Sequence, residues 1–117
     1  MADELLVEKV LRAVELVPAG RIASYGDIAA IVGIGPRHVG NVMAQWGADV
    51  AWWRITNAAG ELPAHLLNDA RRRWADEGIQ PTQNGRGCRI ARHRADIGQL
   101  ARAWEQATRD LAVVPDP

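Results

Sequence analysis

The chain has 117 residues, 48% of them hydrophobic, and its Lys and Arg balance its Asp and Glu to a formal net charge of zero. That length suits one domain (residues 1–117) with a modest core, and the composition excludes a disordered or fibrous protein. No apolar run is long enough to span a membrane, and the acidic start "MADELLVEKV" lacks the basic region of a signal peptide, so a cytoplasmic protein is expected.

In "DELLVEKVLRAVELVPAG", Leu6, Val10, Val14 and Val17 recur at helical spacing, predicting an amphipathic helix stopped at Pro18 and Gly20. In "RIASYGDIAAIVGIGPRHVGNVMAQW", Ser24 followed by Asp27 reads as a capping-box variant opening a short helix to about Val32. Gly33 and Gly35-Pro36 then form a tight turn into a second helix, about Arg37 to Trp46, with Val39, Val42 and Met43 inward. Two short helices around a glycine-containing turn form a helix-turn-helix pattern.

"AWWRIT" predicts a strand or extended loop, whose alternation sends Trp52 and Trp53 to opposite faces. "RGCRIA" predicts a short strand that joins residues 53–62 in a β wing. Between them, "LLNDARRRWADEG" predicts a helix with Trp74 on its apolar side and Gly78 just past its end. Arg71 to Arg73 cannot share one face and read as solvated or paired with Asp69, Asp76 and Glu77. "DIGQLARAWEQATRDLAV" predicts a last helix with Ile97, Leu100, Trp104 and Leu111 inward, before a frayed "VPDP" tail. Trp46, Trp74 and Trp104 are expected to pack in the core or between helices. The fold class is therefore mainly α with a small β wing: a winged helix-turn-helix-like domain plus an extra C-terminal helix.

Cys88 is the one cysteine, so neither a disulfide nor a thiolate metal site is expected within the chain. His38, His65 and His93 show no ligand spacing, and no metal or cofactor is expected. Arg86, Arg89, Arg92 and Arg94 form a local basic strip without an acid among them, which suits phosphate contact in a neutral chain.

Three stretches, "PAGRIASYGDIAAIVGIGPRHVGNVMA", "VAWWRITNAAGEL" and "ADEGI", follow in the order of the DNA-binding domain of O6-alkylguanine-DNA alkyltransferases, over roughly residues 5–90. Those enzymes carry Pro-Cys-His-Arg-Val where this chain reads Ala51-Trp52-Trp53-Arg54-Ile55. The chain thus resembles the alkyltransferase-like proteins, in which Trp or Ala commonly replaces the nucleophilic Cys. The resemblance implies a non-enzymatic protein that binds O6-alkylguanine in duplex DNA, flips the base into a pocket and flags it for nucleotide excision repair. The implied partners are the alkylated duplex and excision-repair proteins, and the protein is expected to act as a monomer.

The chemistry agrees with that implication. Alkyl transfer needs a nucleophile such as a thiolate, whereas an indole offers one N–H donor and a large flat face. Cys88 is the one substitute nucleophile in sight; Arg89 beside it would lower its pKa, but no His adjoins it.

The resemblance implies roles residue by residue. Arg37 matches an arginine that fills the gap left by a flipped nucleotide, a task suited to a planar, permanently charged group. Tyr25 matches a tyrosine that pushes on the phosphate beside the lesion. Ser24 is both helix cap and phosphate neighbour, Gly40 allows close approach of DNA backbone, and Asn41 is a polar neighbour. Trp52 is assigned to the lesion pocket. Trp53 is assigned to the lesion pocket with it, although alternation favours a packing role. His65 falls where related proteins often place an Arg against the modified base, with surface decoration the even alternative. With Cys and His gone, Arg54 and Glu77 become a structural pair.

Two rival readings follow from the same pattern. One is a transcription regulator reading the major groove with the second helix, which offers Arg37, His38, Asn41 and Gln45. The other is a protein-interaction module without DNA binding.

Overall fold

The computed structural model describes residues 2–111. The first helix, α1 (Ala2–Glu15), presents one stripe inward, and Val10, Val14 and Val17 beyond its end are fully buried. The chain then turns through Gly20 (φ +82°) into a two-residue strand, β1 (Ala23–Ser24).

Ser24 ends β1 and caps α2 (Tyr25–Val32). Its Oγ accepts from the Asp27 amide at 3.0 Å, and the Asp27 carboxylate accepts from the Ser24 amide at 2.9 Å, which completes the predicted capping box. Arg94 also donates through Nε to the Asp27 carboxylate at 3.2 Å, so this buried acid is well satisfied. Gly33 ends α2 in the left-handed conformation (φ +91°), and α3 (Pro36–Trp46) begins with Pro36 in its first turn. Helices α1, α2 and α3 pack on one another, as the helix-turn-helix pattern predicts.

The second strand, β2 (Ile55–Thr56), pairs in parallel with β1, Ala23 against Ile55 and Ser24 against Thr56. A parallel pair needs a crossover between its strands, and α2 with α3 forms most of it. This pairing lays the tryptophan stretch beside the start of α2. After it come α4 (Leu67–Glu77), ended by Gly78 at φ +74°, then α5 (Ile90–His93) and α6 (Ile97–Ala107).

Two apolar clusters form the interior. The larger joins α1, α2 and α3 with Ala23, Ile55 and Leu100; the smaller surrounds Trp74 with Ile22, Leu62, Ala70, Ile79 and Cys88. The last helix closes the larger cluster. Leu100 is buried, Ile97 and Trp104 pack against the cluster, and Trp104 Nε1 donates to the Lys9 carbonyl at 2.9 Å. Arg12 on α1 reaches across to the Ala107 carbonyl at 2.6 Å and Asp110 at 2.7 Å. The backbone joins in: Ile22 N–H bonds the His93 carbonyl, and Ala95 N–H bonds the Ile22 carbonyl.

Several sequence expectations are corrected. Residues Trp52–Arg54 form a 3-10 turn and only Ile55–Thr56 is strand, so alternation along an extended stretch does not describe Trp52 and Trp53. The expected wing strands shrink to isolated bridges, Glu61 with Gly87 and Pro81 with Cys88. The cause is close backbone crossing: a Cβ on Gly60 would meet the Cys88 carbonyl, and one on Gly87 would meet the Gly60 carbonyl. A short helix, α5, follows where only a strand was expected. Trp46 is 56% exposed rather than core, because α3 ends at that residue and the chain turns away through Gly47. Trp74, 1% exposed, and Trp104 pack as expected. The expected tail at 114–117 lies outside the described residues.

The capping box predicts that Ser24→Ala lowers stability by about 1 kcal/mol. Urea unfolding measures this, with an unchanged m-value if the fold is retained.

A candidate base-binding cavity

The parallel strand pair and the 3-10 turn together shape a cavity of about 360 Å³. Tyr25 enters it from the start of α2, and Trp52 from the turn. Gly40, Ala44, Gly47 and Ala48 supply a wall of small residues along and just past α3, with Met43 among them. Leu62, Pro63, His65, Leu66 and Asp69 close the opposite side, from the segment leading into α4. Ile55 forms part of the floor and is fully buried. The cavity thus offers one large aromatic face, a phenol, an imidazole and a carboxylate among otherwise apolar walls. Burial raises the Tyr25 pKa, which keeps its phenol neutral.

Trp52 is held by what lies behind it. Its ring meets that of Trp53 edge to face, with centroids 5.8 Å apart and planes at 86°. Trp53 does not line the cavity; it is fixed behind it. Its Nε1 donates to the Glu77 carboxylate at 2.9 Å, and its carbonyl accepts from Trp74 Nε1 at 2.7 Å. The guanidinium carbons of Arg73 and Arg54 lie 4.6 and 5.5 Å from its ring centroid, within cation–π range.

Glu77 gathers this support. Besides Trp53, its carboxylate accepts from the Gly20 amide at 2.9 Å, from Arg54 Nε at 3.0 and 3.2 Å, and from Arg54 Nη2 at 2.6 Å. Arg54 Nη1 continues to the Val17 carbonyl at 3.0 Å. The Arg54 and Glu77 side chains are 17% and 13% exposed. Burial opposes the charged carboxylate, and the bonds from Arg54, Gly20 and Trp53 outweigh it, so Glu77 titrates below its ordinary 4.5.

The residues singled out in the sequence therefore separate into three places. Tyr25, Gly40, Trp52 and His65 converge on the cavity. Trp53, Arg54 and Glu77 form its backing. Ser24 is buried as the cap of α2, while Arg37 and Asn41 are exposed on α3. Asn41 and His38 line a separate, wider groove of about 980 Å³ between α1 and α3, together with Trp46. The start of α3 has no side-chain cap, and among the described residues Arg37 makes no ion pair.

The arginine run is corrected in detail. Arg72 pairs with Asp69 as expected, but Arg71 donates to the Gly85 carbonyl and Arg73 lies over Trp53. The basic strip is partly engaged too, with Arg94 on Asp27 and Arg92 on Gln80. The sequence did not single out Asp69 or the small-residue wall as parts of a site. Asp69 stands one helical turn beyond His65, and that spacing was the available signal.

Cys88 is 1% exposed in the smaller apolar cluster and does not line the cavity. The expectation that Arg89 lowers its pKa is reversed: burial pushes the thiol up to about 11.

The DNA-binding-domain family of the 6-O-methylguanine DNA methyltransferases matches residues 6–79 of the sequence. The chain belongs to this family. A solved structure of the same architecture is that of S. pombe Atl1 in complex with damaged DNA containing O6-carboxymethylguanine. Atl1 is 27% identical, with a TM-score of 0.68 over 80% of this chain and 96% of that one. Comparison with curated proteins gives no match. The methyltransferase-family match ends just past Gly78, so α5 and α6 lie beyond it. Among the described residues no helix is long and apolar enough to cross a membrane.

Two outcomes follow from this geometry. Glu77→Gln is expected to cost about 3 kcal/mol near neutral pH, because it removes the anion that Arg54 faces. Folding depresses the Glu77 pKa, so its stabilisation is full above 4.5 and is lost as pH falls through the lower folded value. Urea unfolding of both proteins should therefore show the gap narrowing in acid; a constant gap would refute the role. For Cys88, thiol reagents should label the native protein more than about a hundredfold slower than the unfolded chain.

Proposed function

We propose that this protein recognises O6-alkylguanine in duplex DNA without repairing it. In this reading the damaged nucleotide rotates out of the helix and its base enters the cavity, against the Trp52 face. Tyr25, at the mouth of α2, presses on the neighbouring backbone. Arg37, exposed at the start of α3, takes the place of the extruded base. The open first turn of α3 favours a nearby phosphate. Gly40 leaves room for the DNA backbone to approach, Asn41 is an exposed polar neighbour on α3, and Ser24 acts through its cap of α2, which sets Tyr25 at the cavity.

The observation that carries the reading is the convergence of Tyr25, Gly40, Trp52 and His65 on one cavity in a methyltransferase-family DNA-binding domain. The similarity to Atl1, solved with a damaged duplex, points the same way. The absence of repair follows from chemistry at the cavity. Trp52 offers no electron pair for displacement at an alkyl carbon, and the one thiol of the chain is buried elsewhere with its proton held. A lesion held but not reversed stays in the DNA, so its removal passes to excision of the surrounding strand. We therefore assign the protein a flagging role for nucleotide excision repair, acting as a monomer from one domain in the cytoplasm.

Titration of labelled duplexes with and without O6-methylguanine tests this. The modified duplex should bind more tightly, and the methyl group should remain on DNA after incubation. Trp52→Ala should weaken the modified duplex about tenfold or more through lost stacking, while the unmodified duplex changes little. Arg37→Ala should weaken both. Methylated Cys88 with restored guanine, seen by mass spectrometry, would sink the non-enzymatic reading.

A further inference from the structure

We propose that the cavity selects uncharged O6-substituents and rejects anionic ones. This inference rests on the base-binding reading above and adds the charge of the lesion it accepts.

The argument begins with the charges at the cavity. Among the described residues, Asp69 is the one carboxylate on its lining, and no Lys or Arg lines it. Arg72 pairs with Asp69, their side chains 74% and 59% exposed, and it does not line the cavity. Other arginines nearby are engaged elsewhere. Arg54 faces Glu77, Arg73 lies over Trp53, and Arg71 donates to Gly85. Tyr25 contributes a neutral phenol.

The remaining walls decide the sign of the effect. Met43, Ile55, Leu62 and Leu66 are apolar. An anionic substituent placed among them must shed water without gaining a cationic partner. The one formal charge on the lining is the Asp69 carboxylate, which is exposed and paired with Arg72 and so adds only a weak repulsion to that desolvation cost. An uncharged substituent meets no repulsion and a much smaller desolvation cost, and the flexible Met43 thioether can adapt to its size. His65, one turn before Asp69, is positioned where a permanent cation would reverse this preference.

The test uses three duplexes that differ at one guanine: unmodified, O6-carbamoylmethyl and O6-carboxymethyl. The two substituents have nearly the same shape and differ in charge. Fluorescence anisotropy at one salt concentration should give the wild-type protein about tenfold tighter binding to the carbamoylmethyl duplex. Asp69→Asn should narrow that ratio modestly, and His65→Arg should bring it to one or below. Thermal melting of each variant checks that the fold is kept, and Asp69, exposed in the first turn of α4, is a mild site for substitution. Equal binding of the two lesions by wild type, or a ratio unchanged in Asp69→Asn, overturns the inference while leaving lesion recognition standing. No preference for either lesion over unmodified DNA sinks the base-binding reading itself, and this inference with it.

Discussion

The half-buried Glu77 carboxylate fixes the geometry on which the candidate site depends. A carboxylate removed from water is tolerated when its oxygens are hydrogen-bonded and its charge is matched. Here the donors come from separate parts of the chain: the Gly20 amide before β1, Trp53 and Arg54 from the turn before β2, all meeting the end of α4. Through Arg54 the same network reaches the carbonyl of Val17 beyond α1. The chain segments that frame the two strands are therefore tied at one point. Trp52 inherits its position from that tie through the edge-to-face contact with Trp53.

Opposite this rigid backing the cavity is kept open by what is missing. Gly40, Ala44, Gly47 and Ala48 present little side-chain volume, so α3 can frame a space rather than fill it. Interior space costs dispersion contacts, which makes an open cavity a burden for a chain this short. Compensation comes from outside the family match, where α6 seals α1 with Leu100, Trp104 and the reach of Arg12 to the far end of the helix.

Much of this was legible in the sequence because it rests on local rules. The stripe of α1, the Ser24–Asp27 box, the Gly33 and Gly78 caps and the inward Val39 and Val42 are set by spacing of a few residues. The pairing of Arg54 with Glu77 was legible through the family resemblance. The tryptophan stretch was misread as extended because its form depends on long-range bonds to Trp74 and Glu77, not on its own propensity. Trp46 had the spacing of a core residue, but no neighbouring element covers the end of α3. The wing pairing is present but reduced: close backbone approach at Gly60 and Gly87 leaves isolated bridges instead of a ladder. Cys88 looked activated beside Arg89, yet adjacency in sequence says little about burial in the fold.

The bond from Trp53 to Glu77 also bears on how such a protein could change its trade. A proton relay needs a member that accepts a proton from one side and releases one to the other, as an imidazole does. An indole N–H can only donate, so at position 53 the chain has a clamp where a relay would require a conduit. A thiol placed at position 52 alone would have no such relay through position 53. Replacing Trp53 to create one would also remove part of the support that holds the cavity in shape. The clamp at Trp53 thus serves the shape of the cavity and carries no proton.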